Sequence, residues 1–301
     1  MYDPTDPRSS LAPAASGAPV FTAYAPPDIG RFYEDAPQVD ADGARTWLIR
    51  SQNAVVAYSK AEDGAVFERA GQPDEYVLLL PSKDVSASVE SGGTTTDVPA
   101  FSIAFIPAGA SKVTVHGKGE VVRIFTSVAS DLAAACGNAA AYAEDHPNVA
   151  PITPWPAPRG GRKVRVYSLD VPPQPGRFGR IWRGETLMVN FLEPQNGPRD
   201  ITKLSPHHHD DFEQCSLALE GSFIHHLRWA WTPDMRMWRD DRHETCDAPS
   251  VLVIPPPAIH TSRGVAAGVN QLVDIFCPPR LDFSQKPGWV LNADDYPMPG
   301  E

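Results

Sequence analysis

The chain has 301 residues, a formal net charge of −11 and 42% hydrophobic residues. Length suits about two domains, and the apolar share excludes a disordered polymer. The acidic balance argues against a nucleic-acid partner, which needs a basic face to neutralise phosphates, and 32 prolines exclude an all-helical protein.

Residues 1–45, rich in Pro, Ala and Asp, read as an extended N-terminal arm. No apolar run reaches the ~18 residues of a membrane span, and no basic segment leads into an apolar stretch as in a secretory signal. The expectation is a cytoplasmic chain with no membrane contact. Strand-like text starts at Thr46-Trp47-Leu48-Ile49. Over 46–128, short apolar runs stand between Gly, Pro and Asp: Tyr76 to Leu80, Phe101 to Ile106, Val121 to Phe125. Ser130-Asp131 offers an N-cap for one helix over the alanine-rich text that follows. The proline-rich stretch 151–161 is extended, so 129–162 reads as a helix and linker. Strands resume at Lys163 to Tyr167 and continue past Phe276, which makes 163–301 a second unit and the fold class all-β. Cys136, Cys215, Cys246 and Cys277 form no CxxC pair and read as buried, reduced thiols.

The two strand-rich halves are similar. Phe101 to Pro107 resembles Pro249 to Pro255, and Val121 to Phe125 resembles Leu272 to Phe276. Asp74-Glu75-Tyr76-Val77 can be laid on Glu213-Gln214-Cys215-Ser216. A duplicated unit of this kind suggests two small barrels or sandwiches.

The chemistry concentrates in Ser205-Pro-His-His-His-Asp-Asp-Phe-Glu-Gln-Cys-Ser-Leu-Ala-Leu-Glu-Gly221. On a strand, His207 and His209 share a face and His208 points away. Two imidazoles on one face can share a metal, and His260, after Pro255 to Pro257, supplies a third. The fourth ligand lies in Glu213-Gln214. Asp210-Asp211 interrupts the strand, so alternation leaves both open.

These residues resemble the cupin superfamily, whose first motif is HxH, then Glu, then six residues and Gly, and whose second is a Pro- or Gly-containing turn before His. His207, His209, Gly221, Pro255 to Pro257 and His260 fit; counting six residues back from Gly221 puts Gln214 where the family has Glu. The resemblance implies two double-stranded β-helix (jelly-roll) barrels: a degenerate one over 46–128 and a metal-binding one over 163–301. It implies one divalent metal on His207, His209, His260 and Gln214 (or Glu213), Fe(II) favoured, with Zn, Mn, Ni or Co as alternatives. In the first half, Glu68 and Ala70 replace the HxH histidines and Lys112 replaces His260. Glu75 alone remains there, with an ion pair to Lys112 as one expectation.

The resemblance implies an oxidoreductase of dioxygenase type on a small diketone, enediol or phenolic substrate. An isomerase, epimerase or lyase acting through an enolate is the alternative, and a non-enzymatic metal or small-molecule binder the third. Glu213 or His226 is the candidate proton carrier. Alternation along 221–231 puts His226 with Arg228; Arg228 and Arg183 are candidate anion binders. Trp229, Trp231 and Trp238 around an inserted hairpin are candidates for an aromatic wall. A homodimer is expected.

Overall fold

The structure, a computed structural model, describes residues 21–300. Its strands are β1 (Asp28–Arg31), β2 (Val39–Ala41), β3 (Ala44–Arg50), β4 (Ala54–Ala61), β5 (Val66–Gln72), β6 (Tyr76–Leu80), β7 (Ser86–Ser91), β8 (Thr94–Val98), β9 (Ser102–Ile106), β10 (Gly109–His116) and β11 (Gly119–Thr126). The second half adds β12 (Arg165–Ser168), β13 (Arg180–Arg183), β14 (Met188–Phe191), β15 (Gln195–Asn196), β16 (Gln214–Glu220), β17 (Ser222–Arg228), β18 (Arg242–Asp247), β19 (Ser250–Ile254), β20 (Ile259–Gly264) and β21 (Val269–Phe276). The fold is all-β, two barrels each made of a large and a small antiparallel sheet. The first pairs β12-β9-β6-β11-β4-β3-β2 with β5-β10-β7-β8; the second pairs β1-β19-β16-β21-β14-β13 with β18-β17-β20.

Strand pairing crosses the expected domain boundaries three times, first where β2, inside the expected arm, pairs with β3 of the first barrel, Val39 opposite Thr46. Strand β1, from the arm, pairs with β19 of the second barrel, Ile29 opposite Leu252. Strand β12 pairs with β9 of the first, Val166 opposite Ala104. Each unit thus covers one sheet edge of the other. The linker helix is shorter than its alanines suggest. It runs Ser130–Ala135, ends where Cys136 turns extended, and resumes as a single 3-10 turn, Ala139–Tyr142. Gly137 in mid-segment disfavours continuation. Among the described residues no helix is long and apolar enough to cross a membrane. The four cysteines are free and buried.

The long apolar runs exist because the large sheets are buried on both faces. Val77, Leu79, Ile103 and Phe105 join Trp182, Leu217, Val251 and Val273 in one core between the barrels. Their neighbours Tyr76, Leu78, Leu80 and Ala104 fill the interior of the first barrel. Strand pairing corrects the internal alignment by one residue. Tyr76 faces Ile106 as Gln214 faces Ile254, so Tyr76, not Glu75, is the counterpart of Gln214. A shift of one residue exchanges the faces of a strand. The first barrel's interior is accordingly closed by Tyr76 stacked on Phe125 at 4.8 Å and by Arg123 over Phe67 at 3.8 Å.

Glu75 faces the interface, accepting bonds from the Tyr296 hydroxyl at 2.7 Å and the Glu185 amide at 3.1 Å. The expected pair with Lys112 is absent: Lys112 is turned outward, 3.7 Å from Glu90. Burial pushes the Glu75 carboxyl up to about 7. A carboxyl that holds its proton more tightly when folded loses stability as pH rises from its unfolded value, about 4.5, through 7. Glu75→Gln should therefore flatten the fall in Tm between pH 5 and pH 8, removing a penalty of up to about 3 kcal/mol at pH 8. Melting curves of both proteins at the two pH values check this; parallel slopes would refute it.

Candidate metal centre

Three histidines converge at one end of the second barrel. The backbones of His207 and His260 form an isolated antiparallel bridge, amide to carbonyl in both directions at 3.1 and 2.7 Å. His209, two residues on, returns to the same side. Candidate ligand nitrogens of His207, His209 and His260 all lie within 4.8 Å of one another. His208 points away and meets Asp210 at 3.3 Å.

The imidazoles are oriented from behind. Nδ1 of His207 lies 2.9 Å from the Ser205 carbonyl, and Nδ1 of His260 lies 2.9 Å from that of Ala258. A carbonyl accepts only from N–H, so each Nε2 carries a lone pair. Phe212 stacks on His209 at 4.5 Å. Burial holds His209 down at about 2 and His260 at about 3, and also lowers His207. The triad is neutral at physiological pH, the state in which imidazole binds metals. His260 Nε2 is buried without a hydrogen-bond partner. An orphaned lone pair facing two further neutral imidazoles fits a cation.

Gln214 and Glu213 go to opposite sides. Gln214 opens β16 facing the barrel interior, its Oε1 2.9 Å from His209 Nε2. Glu213, on the other face, accepts from the Gln52 amide at 2.5 Å and sits 2.9 Å from His146 Nδ1. It ties the linker and the first barrel to β16 and does not reach the triad.

The other expected site residues lie elsewhere. Alternation on β17 turns Phe223, His225 and Leu227 inward and His226 and Arg228 outward. His226 sits 2.8 Å from His243 across the strands and accepts from Arg263, so it is not an interior proton carrier. Arg228 is exposed and paired with Asp241. Arg183 is fully buried and grips the C-terminal segment through the Tyr296 carbonyl and Asn292. The tryptophans form no substrate wall: Trp229 is buried beside Leu227, and Trp231, 71% exposed, stacks on Trp238 outside the barrel.

Four residues outside the expected set are present instead. His225, one place before His226, is buried 2.7 Å from the Ser262 hydroxyl, and burial lowers it to about 4. Asp274 on β21 bonds Gln214 and Ser216, and burial raises it to about 6. Arg280, stacked on Phe283 at 3.7 Å, is close enough for its charge to act on all three histidines and Asp274. Thr261 has a buried hydroxyl without a partner. The visible signal for Asp274 was a charged residue inside the apolar run Leu272 to Phe276. A cavity of about 290 Å³ opens onto His207, Gln214, His260, Thr261 and Asp274, with Phe223 and Leu272 as apolar wall. Gly221 lets the chain turn below it. Its φ is +88°, and a Cβ there would lie 2.5 Å from Asn270 Oδ1.

No protein-family model matches the chain, and no curated protein matches it. Its fold is shared with solved structures. The oxalate decarboxylase of Lactobacillus farciminis, solved as a formate complex, superposes with a TM-score of 0.57 at 13% identity, over 84% of this chain and 86% of that one. An oxalate decarboxylase of B. subtilis gives 0.56 at 13%, over 88% and 82%. AerE from Microcystis aeruginosa gives 0.53 at 10%, over 79% and 94%.

Proposed function

The chain has the double-cupin fold, and from it we propose a metal-dependent enzyme whose second barrel acts as a Lewis-acid site on a small oxygen-rich anion. The reaction class is isomerisation, epimerisation or carbon–carbon cleavage through an enolate. The observation that carries this reading is the donor set: His207, His209, His260 and the Gln214 carbonyl oxygen, all neutral. A divalent cation on four neutral donors keeps its full charge and polarises a chelated carbonyl or carboxylate strongly. The decarboxylases that share the fold break a carbon–carbon bond, at an identity too low to transfer a substrate or a mechanism.

The chain's own residues divide the remaining work. Arg280, near the triad, is paired with Asp282 at 2.6 Å, so its charge is largely spent on that carboxylate. Ser262, on the cavity wall, backs onto His225 Nδ1, and this pair can pass a proton between substrate and imidazole. Phe223 and Leu272 exclude water from one side.

The dioxygenase reading uses the same ligands and differs in its need for O2. Protein loaded with Mn(II), Co(II), Ni(II), Zn(II) or Fe(II) should be assayed against short hydroxy acids, keto acids and diketones, with and without oxygen. Turnover under strict anaerobiosis is the expected result. Turnover only with Fe(II) and O2 would replace this proposal by the oxygenase, and tight substrate binding without turnover in any condition would replace it by a binding protein.

A further inference from the structure

We propose that Asp274 and Ser216 are positioning residues that lock the amide of Gln214 with its carbonyl oxygen turned toward the histidine triad. The inference rests on the reading that His207, His209, His260 and Gln214 hold a metal. It follows from a closed set of hydrogen bonds. Gln214 Nε2 donates to Asp274 Oδ1 at 2.9 Å and to Ser216 Oγ at 2.9 Å. The Ser216 hydroxyl in turn donates to Asp274 Oδ1 at 2.8 Å, which leaves its oxygen lone pair for the amide. The three atoms stand at nearly equal distances, so Asp274 Oδ1 and Ser216 Oγ lie on the same side of the amide nitrogen and hold that end of the amide through one N–H. Oε1, at the other end of the amide, faces His209 at 2.9 Å.

The sheet makes this arrangement compulsory. Gln214 and Ser216 share a face of β16, and Ser216 lies directly opposite Asp274 on β21. All three side chains are buried, Gln214 and Asp274 bordering the cavity and Ser216 away from it. Rotating the amide by half a turn would set its oxygen against the Asp274 carboxylate and leave its N–H groups facing the histidines. An amide nitrogen has no lone pair to give a cation. The same contact explains why position 214 is glutamine rather than an acid. A glutamate there would bring two carboxylates to hydrogen-bond distance, and the single Ser216 hydroxyl could donate to only one of them. The negative charge that the resembled family keeps on the ligand is here displaced one residue behind it.

Titration calorimetry of Co(II) into chelator-stripped protein tests the lock, with thermal melts confirming that each variant is folded. Wild type should bind one ion. Asp274→Ala, which removes the acceptor, should weaken binding about 10–100-fold, the usual cost of losing a group that orients a ligand. Asp274→Asn, whose Oδ1 still accepts both bonds, should stay within about threefold of wild type. Ser216→Ala should weaken binding about 10-fold, and it carries the test if Asp274→Ala does not fold. Unchanged affinity in folded Asp274→Ala or in Ser216→Ala overturns the lock. So does an equal loss in Asp274→Asn and Asp274→Ala, which would assign the effect to carboxylate charge. Absence of Co(II) binding by wild type would overturn the metal reading itself, a separate result.

Discussion

His209→Ala and His260→Ala are each expected to purify without metal, whereas wild type, prepared with no metal added, carries about one divalent ion per chain. Both imidazoles are buried, and each supplies one of three converging nitrogens. Losing one leaves a pair plus an amide oxygen, so affinity should fall by more than the about 10–100-fold that follows loss of an outer partner. The control is His208→Ala, because His208 belongs to the same run but is exposed and paired with Asp210. It should keep full metal content and activity. Elemental analysis of the four proteins decides. Metal-free wild type would remove the basis of the functional proposal, and equal loss in all three variants would show non-specific binding by a histidine cluster.

Trp182→Ala should be the most destabilising of the single core truncations. Trp182 is 1% exposed and lies in the core that both large sheets contribute to. Truncating a buried Trp costs about 3–5 kcal/mol. In a chain of this size that corresponds to a Tm lower by about 10 °C. The metal affinity of the folded fraction should be unchanged, because Trp182 lies on the inter-barrel side of the sheet and the triad and its cavity lie inside the second barrel. Calorimetric melts and Co(II) titration of the variant check both halves. A Tm shift below about 3 °C would mean that the sheets are not closely packed there.

The all-β class and the triad were legible because they rest on local signals. Short apolar runs between turn residues mark strands, and HxH followed by a distant histidine after a proline turn marks converging ligands. What failed depended on which face a residue takes. Glu213 and Gln214, His225 and His226, and Glu75 and Tyr76 are neighbours, and in each pair strand alternation sends one side chain inward and the other out. Where both faces of a sheet are buried, hydrophobicity no longer distinguishes them. The loop before β16 and the bulge within β10 further break the count from neighbouring strands. Arg183 had the same cause: buried arginines serve carbonyl groups as well as substrates, and its partners Asn292 and Tyr296 lie over a hundred residues downstream. The exchanged strands were invisible because edge pairing between distant segments leaves no periodic trace.

That exchange makes the two copies inseparable. A product ending near residue 150 would take β1 away from the second barrel and lack β12 for the first. Each fragment would then display a bare row of backbone donors and acceptors along one sheet, the usual seed of edge-to-edge aggregation. Mixed in one solution, the fragments have a route back: each holds the missing border of the other. The first barrel is thus a reciprocal scaffold that the histidine-bearing barrel cannot shed, and a minimal version of this protein cannot be made by cutting at its most obvious linker.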